Sequence, residues 1–219
     1  MFRMKNKLNN LYNANKEVKF ALVGAGKMGK GLVNQLSRIK GLTSSVVIDE
    51  KPEKAMEALI SSGVRKSDIT TSDNIKIIEN SIKNGMYVVS DDYSIACKLP
   101  DIKGVVDATG NPPFGAILAM EAIENRKHTI MLNVECDAVI GPYLYNLAKK
   151  KNVIYTGSAG DEPGAIMELA DFALGAGFKL LAVGKGKNNP LNYYITEDDV
   201  REEALSKGLY PKMLAGFID

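Results

Sequence analysis

The sequence predicts an α/β fold: a doubly wound parallel sheet with the start of a second, substrate domain. Three observations carry this expectation. An apolar strand from Val18 to Val23 runs straight into glycines spaced G-x-G-x-x-G, at Gly24, Gly26 and Gly29. Apolar runs of strand length then alternate with segments of helical spacing as far as Tyr155. Beyond that point the alternation gives way to a polar, glycine-rich link, Gly157 to Gly164.

The elements follow in order. Residues 1–17 are polar, with Met4, Leu8, Leu11 and Tyr12 at amphipathic-helix spacing, and form an N-terminal arm on the surface. After the first strand and its glycine turn, Lys30 to Leu36 carries apolar residues at helical spacing, and Lys40-Gly41 stops the helix. Ser45 to Ile48 is a strand ending in Asp49; Pro52 opens a helix that runs to about Ser61 and stops at Gly63. Ile75–Asn84 and Ser94–Lys98 are helical around a short strand, Tyr87–Val89. A strand from Gly104 opens into Thr109-Gly110-Asn111-Pro112, followed by helix Pro113–Asn125, strand Thr129–Val134, helix Gly141–Lys150 and strand Val153–Tyr155. Parallel strands joined by helices require right-handed crossovers, so this part is Rossmann-like. The link leads into helix Ala165–Leu174 and strand Lys179–Val183. The expected domains are 18–157 for dinucleotide binding and 158–219 for an incomplete substrate or catalytic domain.

Composition narrows the function classes. A chain of 219 residues buries about 70% of its unfolded surface without staples. Hydrophobic residues at 45% and charged residues at 25% fit an ordered globular protein. The formal charge of +2 is scattered, which argues against nucleic acid or an anionic membrane as partner. Cys97 and Cys136 lie far apart without metal-ligand spacing and suit a reduced compartment as buried thiols. The first nineteen residues lack the apolar core of a signal peptide, and no apolar run reaches membrane-span length, so a cytoplasmic location is expected.

The glycine turn is a phosphate-binding candidate. Gly24 permits the bend after the strand, Gly26 lets backbone approach a pyrophosphate, and Gly29 lets the helix pack closely on the sheet, with Lys27 and Met28 between them. Asp49, twenty residues after Gly29, is placed to accept hydrogen bonds from the adenosine ribose hydroxyls. Asp49-Glu50 puts negative charge where a 2′-phosphate would sit, which favours NAD, with NADP as the alternative. The competing role for Asp49 is to cap the helix that begins near Pro52. Thr109, Gly110 and Asn111 at one strand end, with Asn133 and Glu135 at the next, are expected on the nicotinamide side; loop capping is their alternative.

Catalytic candidates fall later. Lys185 and Lys187 alternate on an extended segment, share one face with Asn188 beside them, and could polarise a carbonyl oxygen or bind a phosphate; a solvated basic turn is the alternative. Asp161, near Glu162 and Glu168, is a candidate for proton transfer, against a surface capping role. No metal ligand is assigned. His128, the single histidine, opens a strand and reads as structural.

Several runs together resemble a known family: Ala21 to Gly29, Val106 to Pro112, Leu132 to Glu135, Tyr155 to Pro163 and Gly184 to Leu191. They are similar to the homoserine dehydrogenase-like NAD(P)-dependent oxidoreductases that carry a C-terminal SAF domain, a family including enzymes like deoxyxylulose-phosphate reductoisomerase. The resemblance covers nearly the whole chain, and the block from Lys185 to Leu191 is its most specific part. It implies hydride transfer to or from a small carbonyl or hydroxyl substrate, phosphorylated or carboxylated. Homoserine dehydrogenases proper carry a glutamate where Tyr155 is followed by Thr156, and an Asn-Gly-Thr segment near Lys185 to Asn188, so homoserine is not the expected substrate. Many relatives have Asn-Arg where this chain has Asp49-Glu50. Relatives also continue well beyond the stretch resembling Pro211 to Asp219. The resemblance therefore implies either a homo-oligomer or a partner chain that completes the catalytic domain, or else a truncated, non-catalytic dinucleotide-binding subunit.

Overall fold

A computed structural model describes residues 3–158, 162–184, 194–206 and 211. The chain divides into two units, Met1–Asp171 and Phe172–Asp219. In chain order the elements are α1 (Met4–Asn13), β1 (Val18–Val23), α2 (Lys27–Leu36), β2 (Leu42–Ile48), α3 (Pro52–Ser61), β3 (Ile69–Thr71), α4 (Ile75–Lys83), β4 (Tyr87–Ser90) and α5 (Tyr93–Lys98). They continue with β5 (Gly104–Asp107), α6 (Pro112–Glu124), β6 (His128–Met131), α7 (Val134–Lys151), β7 (Tyr155–Gly157), α8 (Glu162–Gly175) and α9 (Arg201–Ser206).

In the first unit the strands form one sheet, every neighbour pair parallel, in the order β3-β4-β2-β1-β5-β6-β7. The architecture is the predicted doubly wound, Rossmann-like sheet. Strand alternation explains why both faces are covered. Phe20 and Leu22 of β1 join Val33, Leu36, Ala55 and Leu59 on the face of α2 and α3. Ala21 and Val23 join Ile78, Ile82, Ile95 and Leu118 on the face of α4, α5 and α6. Each fully buried Leu or Ile contributes about 1.5–3 kcal/mol of transfer free energy.

The order of strands reverses between β1 and β5. From β1 the chain steps to β2 on one side, and β5, β6 and β7 extend on the other. Registers bring the carboxyl ends level: Val23 lies beside Ile48 and Asp107, and Asp107 beside Met131. Such a reversal opens a crevice outside the strand ends, where open α/β sheets take their ligands.

Several boundaries differ from expectation. Helix α7 starts at Val134, seven residues before Gly141, although Gly141-Pro142 resembles a helix opening. Asn133 caps it instead, accepting the Cys136 N–H at 3.2 Å, and Glu135 and Asp137 in the first turn complement the helix dipole. Strand β6 accordingly ends at Met131, and β7 starts at Tyr155 rather than Val153. The short edge strand β3, paired to β4, was not foreseen. The arm is helical as predicted: α1 buries no side chain fully, and a Cβ on Gly41 would stand 2.3 Å from the Leu8 carbonyl oxygen, so only glycine permits that approach.

The second unit corrects one expectation. Lys179–Val183 forms no strand: residues 178–184 have no regular structure and Leu181 is 87% exposed. A β-pattern needs a neighbouring strand to satisfy its backbone, and no strand lies among the described residues of this unit. Its helix α9, unforeseen, buries Ala204 and follows a turn in which Asp199 accepts both the backbone N–H and the hydroxyl of Thr196 at 2.7 Å.

Candidate functional site

Three segments meet at the reversal point. The first is the glycine turn. Gly24 has φ +98°, which favours glycine, and a Cβ there would stand 2.6 Å from the Ala108 carbonyl group. Gly29 packs so tightly that its Cβ would lie 1.9 Å from the Gly24 carbonyl oxygen. Gly26 is the opposite case: a Cβ there would meet no protein atom within 4 Å. Gly24 and Gly29 are thus needed by the fold, whereas Gly26 faces open space. Gly26 also stands at the N-cap of α2, which has no side-chain cap and no acidic residue in its first turn. That end is left suited to an anion. Lys27 and Met28 follow on the surface, Met28 with 65% of its area exposed.

The second segment is the end of β2. Asp49 is 8% exposed, and its carboxylate accepts the Ala25 N–H at 2.8 Å on Oδ2 and the Lys51 N–H at 3.0 Å on Oδ1. It therefore ties the glycine turn to the entrance of α3, where Lys51 is the N-cap residue. A carboxylate offers about four lone-pair sites, so two remain for further donors. The helix-entrance role and a ribose-binding role are compatible at this residue. Lys30 Nζ pairs with Glu57 at 2.5 Å, joining α2 to α3 and holding the exposed Glu57 carboxyl below its ordinary range.

The third segment joins the ends of β5 and β6. Thr109 donates its backbone N–H and its hydroxyl to Asp107 Oδ1, at 2.9 and 2.7 Å. Asn133 Nδ2 donates to Asp107 Oδ2 and to the Asn111 carbonyl, both at 3.0 Å. Asn111 caps α6, accepting the Phe114 N–H at 3.2 Å, and Gly110 between the anchored residues has φ +63°. Thr109 is half-buried, Gly110 and Asn111 are exposed, and Asn133 is 1% exposed. Thr109, Asn111 and Asn133 therefore come together, with Asn133 behind the loop. Glu135 is exposed in the first turn of α7. Asp107 is the participant that the sequence reading passed over, an acidic residue closing an apolar strand just before Thr-Gly-Asn.

One turn into α7, Asp137 accepts the Tyr155 hydroxyl at 2.7 Å. Burial first, and then this carboxylate, push the Tyr155 phenol well above its ordinary value. Burial likewise raises the Cys136 thiol, with Asp107 and Asp137 adding to it. His128 Nδ1 accepts the Ile154 N–H at 3.0 Å, the structural role expected of it.

The remaining candidates, Asp161, Lys185, Lys187 and Asn188, lie outside the described residues. Glu168 is exposed on α8. Among the described residues no cluster of three or more His, Cys, Asp or Glu is placed to hold a metal ion, and no helix is long and apolar enough to cross a membrane.

The comparisons bear on both units. Residues 160–219 match the family model described as oxidoreductase DRL, catalytic domain. A search of curated proteins finds no match. Among solved structures, the chain is similar to a homoserine dehydrogenase from Thiobacillus denitrificans, with TM-score 0.52 and 19% identity over 73% of this chain and 33% of that one. It is also similar to scyllo-inositol dehydrogenase from Lactobacillus casei with bound NAD(H) and scyllo-inositol, at TM-score 0.50 and 15% identity over 74% and 42% of the two chains. An NAD binding oxidoreductase from Klebsiella pneumoniae gives TM-score 0.50 and 14% identity over 74% and 39%. These likenesses establish the fold. The chain spans one third to about two fifths of the length of these proteins.

Proposed function

We propose that this chain is the dinucleotide-binding part of an NAD-dependent oxidoreductase. The observation that carries the reading is Gly26: the one glycine of the turn whose missing side chain the protein itself does not need, at an uncapped helix N-terminus in the crevice. A bound pyrophosphate would give that vacancy its reason. The match of residues 160–219 to an oxidoreductase catalytic domain, and the NAD-binding proteins among the similar folds, support the same reading.

The turn from Gly24 to Gly29 would hold the pyrophosphate, Asp49 the adenosine ribose, and the loop Thr109–Asn111 the nicotinamide side. When bound, the cofactor supplies a hydride donor or acceptor. Asp49 and Glu50 would repel a 2′-phosphate and so favour NAD over NADP. In this reading the substrate is a small carbonyl or hydroxyl compound, phosphorylated or carboxylated, and the finer kinship is with the homoserine dehydrogenase-like, SAF-bearing enzymes. Lys185 or Lys187 would polarise the substrate oxygen, Asn188 orient it, and Asp161 hold the proton to be moved.

The test is NADH oxidation with a panel of small phosphorylated and carboxylated carbonyl compounds, run with and without Lys187→Ala. The expected result is turnover that Lys187→Ala abolishes while NADH affinity is retained. Turnover that persists in Lys187→Ala and in Lys185→Ala alike would contradict the assigned role, and equal loss of cofactor and substrate binding would mean that the variant misfolds.

A further inference from the structure

Asp107 and Asn133 are almost sealed from solvent, at 0% and 1% exposure. A buried carboxylate is costly unless its oxygens are hydrogen-bonded, and each bond Asp107 makes leads to the same loop. Oδ1 takes the Thr109 N–H and hydroxyl, and Oδ2 takes Asn133 Nδ2, which also holds the Asn111 carbonyl. The loop is thereby pinned on both sides of Gly110. The other end of the Asn133 amide, Oδ1, accepts the Cys136 N–H, so the loop is also locked to the N-terminus of α7. Helix α6 closes the arrangement: a Cβ on Gly115 would stand 2.4 Å from Asp107 Oδ2 and 2.5 Å from Asn133 Nδ2. On the open side, Ala108 and Thr109 abut the glycine turn at Gly24.

We infer that Asp107 and Asn133 are a buried positioning pair that fixes the Thr109–Asn111 loop to receive the nicotinamide half of a dinucleotide. The inference rests on the reading above. Neither side chain touches the cofactor; both act through the loop. Two strand ends can be joined with apolar side chains, but a carboxylate receiving three donors from two elements defines the height and tilt of the loop backbone. Reach across the crevice separates the two halves of the ligand: the adenosine side belongs to Asp49 and the glycine turn, the nicotinamide side to the loop.

The experiment compares NADH with ADP-ribose, which keeps the adenosine and pyrophosphate but lacks nicotinamide, by calorimetry on the full chain. Asp107→Asn turns one acceptor into a donor that faces another donor. It is expected to weaken NADH by about tenfold or more and to leave ADP-ribose within about threefold. Thr109→Val, which removes one hydroxyl donor from a half-buried site, gives the same selective loss if the single variant does not fold. Equal losses for both ligands, or no loss of NADH, would overturn the inference, because a merely structural pair does not distinguish the two. NADH no tighter than ADP-ribose in the parent would overturn it too while sparing the nucleotide site. Binding of neither ligand by the parent would instead remove the proposed function.

Discussion

A Cβ on Gly29 would stand 1.9 Å from the Gly24 carbonyl oxygen, closer than any real contact, whereas one on Gly26 would touch nothing. Because that carbonyl is backbone at the end of β1, it has no rotamer by which to yield. Gly29→Ala is expected to destabilise the protein by about 1–3 kcal/mol, read as a lower urea midpoint. Gly26 has φ −68° and ψ −163°, which alanine tolerates, so Gly26→Ala should change stability by less than about 1 kcal/mol. Equal destabilisation of the two variants would contradict the division of labour assigned to the turn.

Asp49, at the carboxyl end of β2, accepts two backbone N–H groups and is the residue proposed to meet the ribose. Removing it in Asp49→Ala leaves the Ala25 and Lys51 amides without their acceptor, at a cost of about 1–3 kcal/mol in stability. The same variant is expected to weaken NADH more than NADPH, since the charge that repels a 2′-phosphate is gone. Calorimetric titration with both cofactors checks this, and an unchanged NADH to NADPH ratio would remove Asp49 from ribose recognition.

Tyr155 and Asp137 join the edge strand β7 to α7 through a single 2.7 Å hydrogen bond. Tyr155→Phe leaves the shape and removes the donor, so a loss of about 1 kcal/mol in unfolding free energy is expected. No change in the urea midpoint would mean that the bond is matched by water in the unfolded chain.

Cys97 is fully buried, and burial first, with Glu121 second, pushes its thiol up from 9.0 to about 12. Above pH 9 the unfolded thiol ionises and the folded one does not, so the unfolded state binds fewer protons and stability falls with rising pH. The contribution is intact below pH 9 and is lost progressively between about 9 and 12. Cys97→Ala should therefore show a shallower decline across that window in denaturation profiles. Parallel profiles for the two proteins would contradict the buried, neutral thiol.

The parts legible in the sequence are those governed by local rules. Val18–Val23, the glycine turn and helix Pro52–Ser61 stand where periodicity, glycine spacing and an N1 proline put them. Helix α7 was misread at its start because Gly141-Pro142 carries a local signal that the Asn133 cap and the β6 to α7 turn override. Lys179–Val183 has a strand pattern without a strand partner among the described residues, and pattern alone cannot supply one. At the candidate site, the place of Asp49 beside the glycine turn is legible from its distance beyond the glycines. The Asp107 to Asn133 bond was not, because it depends on the register that sets Asp107 beside Met131, two residues before Asn133. Asp161, Lys185, Lys187 and Asn188 fall outside the described residues.

The central claim is that the crevice between β1 and β5 receives a dinucleotide through Gly26. Its most direct test is calorimetric titration of the chain and of Gly26→Ala with NADH, with NADPH in parallel. The account predicts saturable binding of NADH by the parent, weaker binding of NADPH, and at least about a tenfold loss of NADH affinity in a stably folded Gly26→Ala. Absence of binding for both cofactors, or undiminished NADH affinity in Gly26→Ala, would contradict it.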